Sequence, residues 1–269
     1  MARIALGIEY DGTAYAGWQQ QAHARSVQSV LQDALGGVAG HEIRLAAAGR
    51  TDAGVHALLQ VAHFDSDVVR PEQAWALGGT AGSADDVTIL WARTVPGHFH
   101  ARHGALSRTY VYRILNRSMR PALERRRVCW VRRPLDAAAM HRAAQRLLGE
   151  HDFTSFRAAE CQSATPLRNL VAASVEREGD GVRLTVRANA FLHHMVRNLA
   201  GSLLLVGSGQ RPEAWLEEVL AARDRTLAGP TAPPQGLYFA GVEYPAEFGL
   251  PSLAAASGRL PATPTGEPP

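Results

Sequence analysis

The chain contains no lysine: all 28 basic residues among its 269 are arginines. That absence removes Schiff-base chemistry, pyridoxal phosphate catalysis included, and removes the lysine on which a Walker-type phosphate loop depends. Cysteine is nearly as scarce. Cys129 and Cys161 stand far apart, make no Cys-x-x-Cys pair and read as reduced thiols. No apolar run approaches the ~18 residues of a membrane span. Met1-Ala2-Arg3-Ile4 opens a strand directly and lacks the apolar segment of a signal peptide. The expectation is a cytoplasmic protein with no membrane partner. There is no Gly-x-Ser-x-Gly elbow, and Gly207-Ser208-Gly209 lacks the third glycine and follows a helix, so a dinucleotide fingerprint is unsupported. Repeats of 20–50 residues are not visible.

The chain is long enough for one large domain or two packed subdomains, each with its own core. Its formal charge is only +3, but the distribution is uneven. Between Arg102 and Arg133 lie eight further arginines, opposed only by Glu124. Such a stripe points to a phosphate-backbone partner, or to a solvated arginine-rich face. His98, His100 and His103 have plausible ligand spacing, yet Arg102 and Arg108 would repel a cation, so no metal is expected there. His193 and His194 are adjacent; on a strand they point to opposite faces and do not chelate together.

Ile4, Leu6, Ile8 and Tyr10 alternate with small or polar residues, predicting a half-buried strand. Ser26 caps a helix whose Val27, Val30, Leu31, Ala34 and Leu35 share a face, with glycines at 36, 37 and 40 to end it. Strands are expected near 43–47, 60–64 and 87–95, with a short helix from Pro71 to Leu77 and a loop over 78–86. In the second half, Tyr110, Tyr112 and Ile114 share one strand face, and Asp136 caps a helix ended by Gly149. Residues 151–168 read as irregular, and 171–177 with 182–190 as a hairpin. A mostly apolar helix runs over 195–206, another starts at Pro212, and 237–244 is a final strand. The fold class is α+β (mixed α/β), with subdomains over 1–104 and 105–247. Residues 248–269, rich in Pro, Ala, Ser, Thr and Gly without periodicity, read as a disordered tail.

Gly49-Arg50-Thr51-Asp52-Ala53-Gly54 is a tight loop bracketed by glycines. In extended backbone Arg50 and Asp52 project to one side, so both can face one cleft; taken alone, the triplet reads better as a surface turn. Arg197 stands inside an apolar helix, where a charge is costly unless paired, and Asp52 is the candidate partner; a snorkelling arginine is the plainer reading. Tyr110 is a core tyrosine by periodicity and a stacking platform for a base by its setting after Arg108.

The block Gly49 to Ala57 resembles, without a mismatch, the signature loop of the tRNA pseudouridine synthase A family. The resemblance extends through Tyr10-Asp11-Gly12-Thr13, Gly17-Trp18-Gln19, Phe99-His100-Ala101-Arg102 and Arg108-Thr109-Tyr110-Val111-Tyr112. It continues through His151 to Phe156, Phe191 to Asn198 and Ala232 to Tyr238, in the family's order, over roughly residues 4 to 244. One departure is Leu77-Gly78-Gly79-Thr80-Ala81-Gly82-Ser83, where the family usually has an Asn followed shortly by Leu-Pro. The resemblance implies that Asp52 is the catalytic aspartate and Arg197 the basic partner holding it charged. It also implies that Arg50 helps extrude the target base and Tyr110 stacks on it, and the matching blocks make Arg102 and Arg108 candidate substrate-binding arginines. It further implies two α/β subdomains in one mixed, largely antiparallel sheet with a basic central cleft. The implied enzyme is a homodimer without cofactor or metal that isomerises uridines 38 to 40 in the anticodon arm of tRNA. A non-catalytic tRNA-binding module explains the arginines but not the intact Asp52 loop. A glycoside or nucleoside hydrolase usually needs a second carboxylate, and none has a comparable setting.

Overall fold

Nine residues at the start of the chain, β1 (Ala2–Tyr10), bury both of their faces more fully than alternation predicts. The second set is small: Ala5 is fully buried, and the Trp91 ring lies across Gly7 so closely that a Cβ there would come within 2.2 Å of it. The computed structural model describes residues 1–253. After β1 come α1 (Val27–Ala39), β2 (Ala46–Ala47), β3 (His56–Ser66), α2 (Glu72–Gly82) and β4 (Val87–Val95). The second half adds β5 (Ser107–Asn116), β6 (Cys129–Val131), α3 (Ala137–Gln145), β7 (Gly149–Asp152), β8 (Leu167–Glu178), β9 (Gly181–Ala188), α4 (Met195–Gly207), α5 (Trp215–Ala222) and β10 (Leu237–Glu243).

One sheet takes strands from both halves, in the order β4-β1-β3-β10-β5-β9-β8-β7, with β2 beside β3 and β6 beside β5. The β3–β10 and β5–β6 pairs are parallel and the other pairs antiparallel. This is the mixed, largely antiparallel sheet of an α+β protein. The halves join where β10 pairs with β3, Tyr238 opposite His56 and Phe239 opposite Ala57. The join therefore sits immediately after the Asp52 loop. Helices α1 and α2 pack together, with α2 on β4, while α3 packs on β8 and α4.

The helix α1 begins at a capping box, in which Ser26 and Ser29 exchange side-chain and backbone hydrogen bonds. It ends at Gly40, whose φ of 74° suits glycine. Four expectations need correcting. The stretch 78–86 is not a loop throughout, because α2 runs on to Gly82. Its glycines permit close packing: a Cβ on Gly79 would lie 2.4 Å from Ile89, and one on Gly78 would lie 2.8 Å from Val38. Tertiary contact outweighs poor helix propensity here. The irregular 151–168 region contains the end of β7 and a 3-10 turn that buries Phe153 and Phe156. The strand near 43–47 shortens to Ala46–Ala47. Finally, the expected tail is ordered at its start, with Phe248 edge-on to Phe99 at 5.1 Å and Leu250 and Leu253 against the core. Positions 254–269 lie outside the described residues.

Candidate active site

The loop carrying Asp52 is clamped from several directions. Thr51 is buried and its hydroxyl pairs with that of Tyr10 at 2.8 Å, while its carbonyl accepts the Trp18 N–H at 3.0 Å. Gly17, at φ 101°, passes so near that a Cβ would lie 2.6 Å from the Thr51 carbonyl oxygen; this close approach requires glycine. Gln60 donates to the Gly49 carbonyl at 2.8 Å. Beyond the loop, His56 Nδ1 accepts the Gly12 N–H at 3.1 Å and Nε2 donates to the Arg126 carbonyl at 2.9 Å. Burial pushes the His56 imidazole pKa down, which favours this neutral, bridging form.

Asp52 meets three groups from the other half of the chain. Arg197 Nη1 lies 3.1 Å from Oδ2, His194 Nε2 lies 3.3 Å from Oδ2 and His193 Nε2 lies 3.4 Å from Oδ1. The apolar helix therefore has the acidic partner that its arginine requires. Arg197 is fixed in turn by Ala232: its Nε donates to that carbonyl at 2.8 Å, and the Ala232 N–H returns to the Arg197 carbonyl at 3.1 Å.

The two histidines depart from the sequence reading. They lie in the turn leading into α4 instead of on a strand, and His194 adopts a left-handed φ of 61°. That reversal brings both rings to one carboxylate, with centroids 4.0 Å apart. The signal available was their position just before an apolar helix, where strand periodicity does not apply. Burial lowers the His194 pKa, although Asp52 opposes the shift.

A cleft of about 1310 Å³ opens over this group. It exceeds the ~300–1,000 Å³ of ordinary small-molecule pockets. Arg50, Arg102, Arg108, Arg168 and Arg197 line it together with four histidines, against the carboxylates of Asp52 and Glu160, so the cleft is basic. Arg50 is exposed and makes no ion pair among the described residues. Arg102 is also exposed on the wall. Arg108, by contrast, is buried and donates to the carbonyls of Ala48, Ala105, Asn189 and Arg102. It ties strand, loop and wall together. Tyr110 is 8% exposed, flanked edge-on by Phe191 and Phe239 at centroid distances of 4.9 Å. Its hydroxyl end lies near Gly49, and burial pushes the phenol pKa up.

The arginine stripe divides. Arg102 and Arg108 reach this cleft, whereas Arg113 pairs with Glu124 at 2.9 Å and Arg127 with Asp11 at 2.9 Å. Arg125, Arg126 and Arg127 border a separate hollow of about 510 Å³ beside Asp11 and Asp86.

Residues 7–103 and 143–245 match the family model described as tRNA pseudouridine synthase. The chain is 55% identical over 252 residues to the tRNA pseudouridine synthase A of Xanthomonas campestris pv. campestris (strain B100), covering 93% of this chain and 98% of that protein. It is 54% identical over 252 residues to the enzyme of the same name from Xylella fastidiosa (strain M23), with the same coverage. The Cronobacter sakazakii (strain ATCC BAA-894) protein, also called tRNA pseudouridine synthase A, is 53% identical over 251 residues, 93% of each chain. The clamped aspartate, its arginine and the basic cleft thus occur in a chain that belongs to the tRNA pseudouridine synthase family.

Proposed function

We propose that this protein isomerises uridine to pseudouridine in the anticodon arm of tRNA, at uridines 38 to 40, with Asp52 as the catalytic carboxylate. The observation that carries the proposal is the placement of Asp52: a hydrogen-bonded loop holds it in the lining of a basic cleft, paired with Arg197.

The reaction breaks the N1–C1′ glycosidic bond, turns the uracil and rejoins it through C5. N1 gains a proton and C5 loses one, so no water is consumed. A carboxylate beside C1′ stabilises or captures positive charge at the anomeric carbon. Removal of the C2′ proton and addition to uracil C6 are the other routes open to the same group. In each of them Asp52 must reach the nucleoside, so the target base has to leave its stack, at a cost of a few kcal/mol. Arg50, exposed in the cleft lining and without an ion pair among the described residues, is suited to fill the vacated space. Tyr110 and Phe191 offer aromatic surface to the incoming base. Cleft arginines without carboxylate partners supply phosphate contacts, and binding should weaken steeply with salt. Arg108 supports the wall, since its hydrogen bonds already go to main-chain carbonyls. The working unit is proposed to be a cytoplasmic homodimer, which sedimentation of the purified protein tests.

The direct test uses an unmodified tRNA transcript labelled with tritium at uracil C5. Isomerisation releases tritium to water, and mapping locates the product. Asp52→Asn keeps the size and polarity of the side chain, so tRNA binding should persist while tritium release stops. Substantial turnover by that variant rejects the assignment. Free uracil would indicate a hydrolase, and binding without reaction by the unaltered protein would indicate a tRNA-binding module.

A further inference from the structure

Two imidazoles aimed at one carboxylate are more than the isomerisation requires. His193 Nε2 and His194 Nε2 each approach a different Asp52 oxygen, at 3.4 and 3.3 Å. These separations are long for the ~2.7–2.9 Å of a charge-assisted hydrogen bond. Taken one ring and one oxygen at a time, each is close to the spacing of two ligands on one metal ion. Ligands held at about 2.0–2.1 Å around a tetrahedral zinc ion stand roughly 3.3 Å from one another. One ligand atom from each of the three residues lies within 4.8 Å of the others. Two imidazoles and a carboxylate also form a donor set suited to zinc and its neighbours, with the fourth position open to the cleft.

We propose that Asp52, His193 and His194 form a chelating site for a borderline divalent transition metal, zinc above all, and that its occupancy switches the enzyme off. The inhibitory part rests on the reading of Asp52 as the catalytic carboxylate. The donor atoms, within 4.8 Å of one another, must draw closer to share one ion, and side-chain rotation can do this because the Asp52 loop is clamped and the turn at His194 already brings the two rings together. Arg197 opposes the incoming cation from 3.1 Å at Oδ2. Affinity should therefore fall below that of a structural zinc site, as befits a reversible inhibitor. A metal held there occupies the approach to the carboxylate and draws it away from the sugar, while the outer arginines still hold the RNA.

The test uses the full chain without a histidine tag. Cobalt(II) is titrated in and its tetrahedral visible absorption followed, then zinc is added in competition. One ion per chain is expected, with zinc displacing cobalt and abolishing tritium release until EDTA restores it. His194→Asn, chosen because asparagine tolerates left-handed backbone, and His193→Gln should each weaken metal binding by roughly tenfold or more. The proposal is overturned if wild type shows no stoichiometric band, or if both histidine variants bind zinc as tightly as wild type. Zinc that saturates the site yet leaves turnover intact overturns the inhibitory half. The activity of Asp52→Asn, measured without metal, then decides separately whether the catalytic reading falls with it.

Discussion

Gly201→Ala tests how Arg197 is held against Asp52. Gly201 lies one helical turn beyond Arg197 on α4, so the two share a face. A Cβ there would lie 1.7 Å from the Pro230 carbonyl oxygen and 2.9 Å from its carbon. Real Cβ contacts do not fall below 3.0 Å, so this backbone must retreat by about 1.3 Å, the difference between 3.0 and 1.7 Å. The same segment carries Ala232, which bonds Arg197 through both carbonyl and N–H, and Gly229, whose N–H donates to Ser202 at 2.9 Å. Overpacking costs about 1–3 kcal/mol, and loss of a hydrogen bond to a charged group about 1.5–3 kcal/mol. The gain in helix propensity returns about 1 kcal/mol. A net loss of roughly 1.5–5 kcal/mol follows, seen as a Tm lowered by roughly 3–20 °C. Displacement of Arg197 from Asp52 by about 1 Å should reduce tritium release about a hundredfold. Gly37→Ala, at an exposed position of α1 with nothing within 4 Å of the new Cβ, is the control, and should gain roughly 0.5–1 kcal/mol with full activity. A Gly201→Ala protein as stable and active as wild type refutes the reasoning.

His63 should make stability depend on pH. Burial lowers its pKa to about 4, and its Nδ1 accepts the Ala101 N–H at 3.2 Å, a bond available only to the neutral ring. The unfolded chain takes up this proton near the ordinary value of 6.5, so the contribution is full above pH 6.5 and is lost as pH falls toward 4, in total about 3 kcal/mol. Urea unfolding across that window should show the fall, and His63→Gln should lack most of it; identical slopes refute the assignment. Tyr110→Phe removes a hydroxyl that makes no hydrogen bond among the described residues, so unfolding should change by less than about 0.5 kcal/mol. Any loss of turnover then belongs to the hydroxyl's contact with substrate, and a large loss of stability would contradict the structure.

The parts of the site legible in the sequence were those governed by strong local costs. An arginine in an apolar helix requires a partner, and Arg197 has it in Asp52, 145 positions earlier in the chain. A loop bracketed by glycines announced close backbone approach, and Gly17 crosses it at Thr51. What stayed hidden depended on a single backbone reversal or on distant packing. One left-handed residue, His194, invalidates strand periodicity for the histidine pair. The glycines of α2 look like a loop until α1 and β4 are laid against them. Likewise, arginines clustered in sequence do not form one patch: Arg102, just before β5, and Arg108, at its start, reach the cleft, whereas Arg113, farther along β5, pairs with Glu124 and Arg127, in the following loop, pairs with Asp11.

The topology explains why the site lies where it does. Asp52 and Arg50 come from the first half of the chain; Arg197, Tyr110 and both histidines come from the second. The halves are held together beside the site by a short parallel pairing, in which Phe239 lies opposite Ala57 while its ring packs against Tyr110 and stands 3.0 Å from where a Gly49 Cβ would be. Tyr238, the preceding residue, stacks on His56 at 4.8 Å, so both strands of the seam also fix the loop's far end. Two consecutive residues of β10 thus register the sheet, support the aromatic wall and set the height of the Asp52 loop. In this arrangement the join that completes the fold is also the join that brings Asp52 to Arg197 and the two histidines.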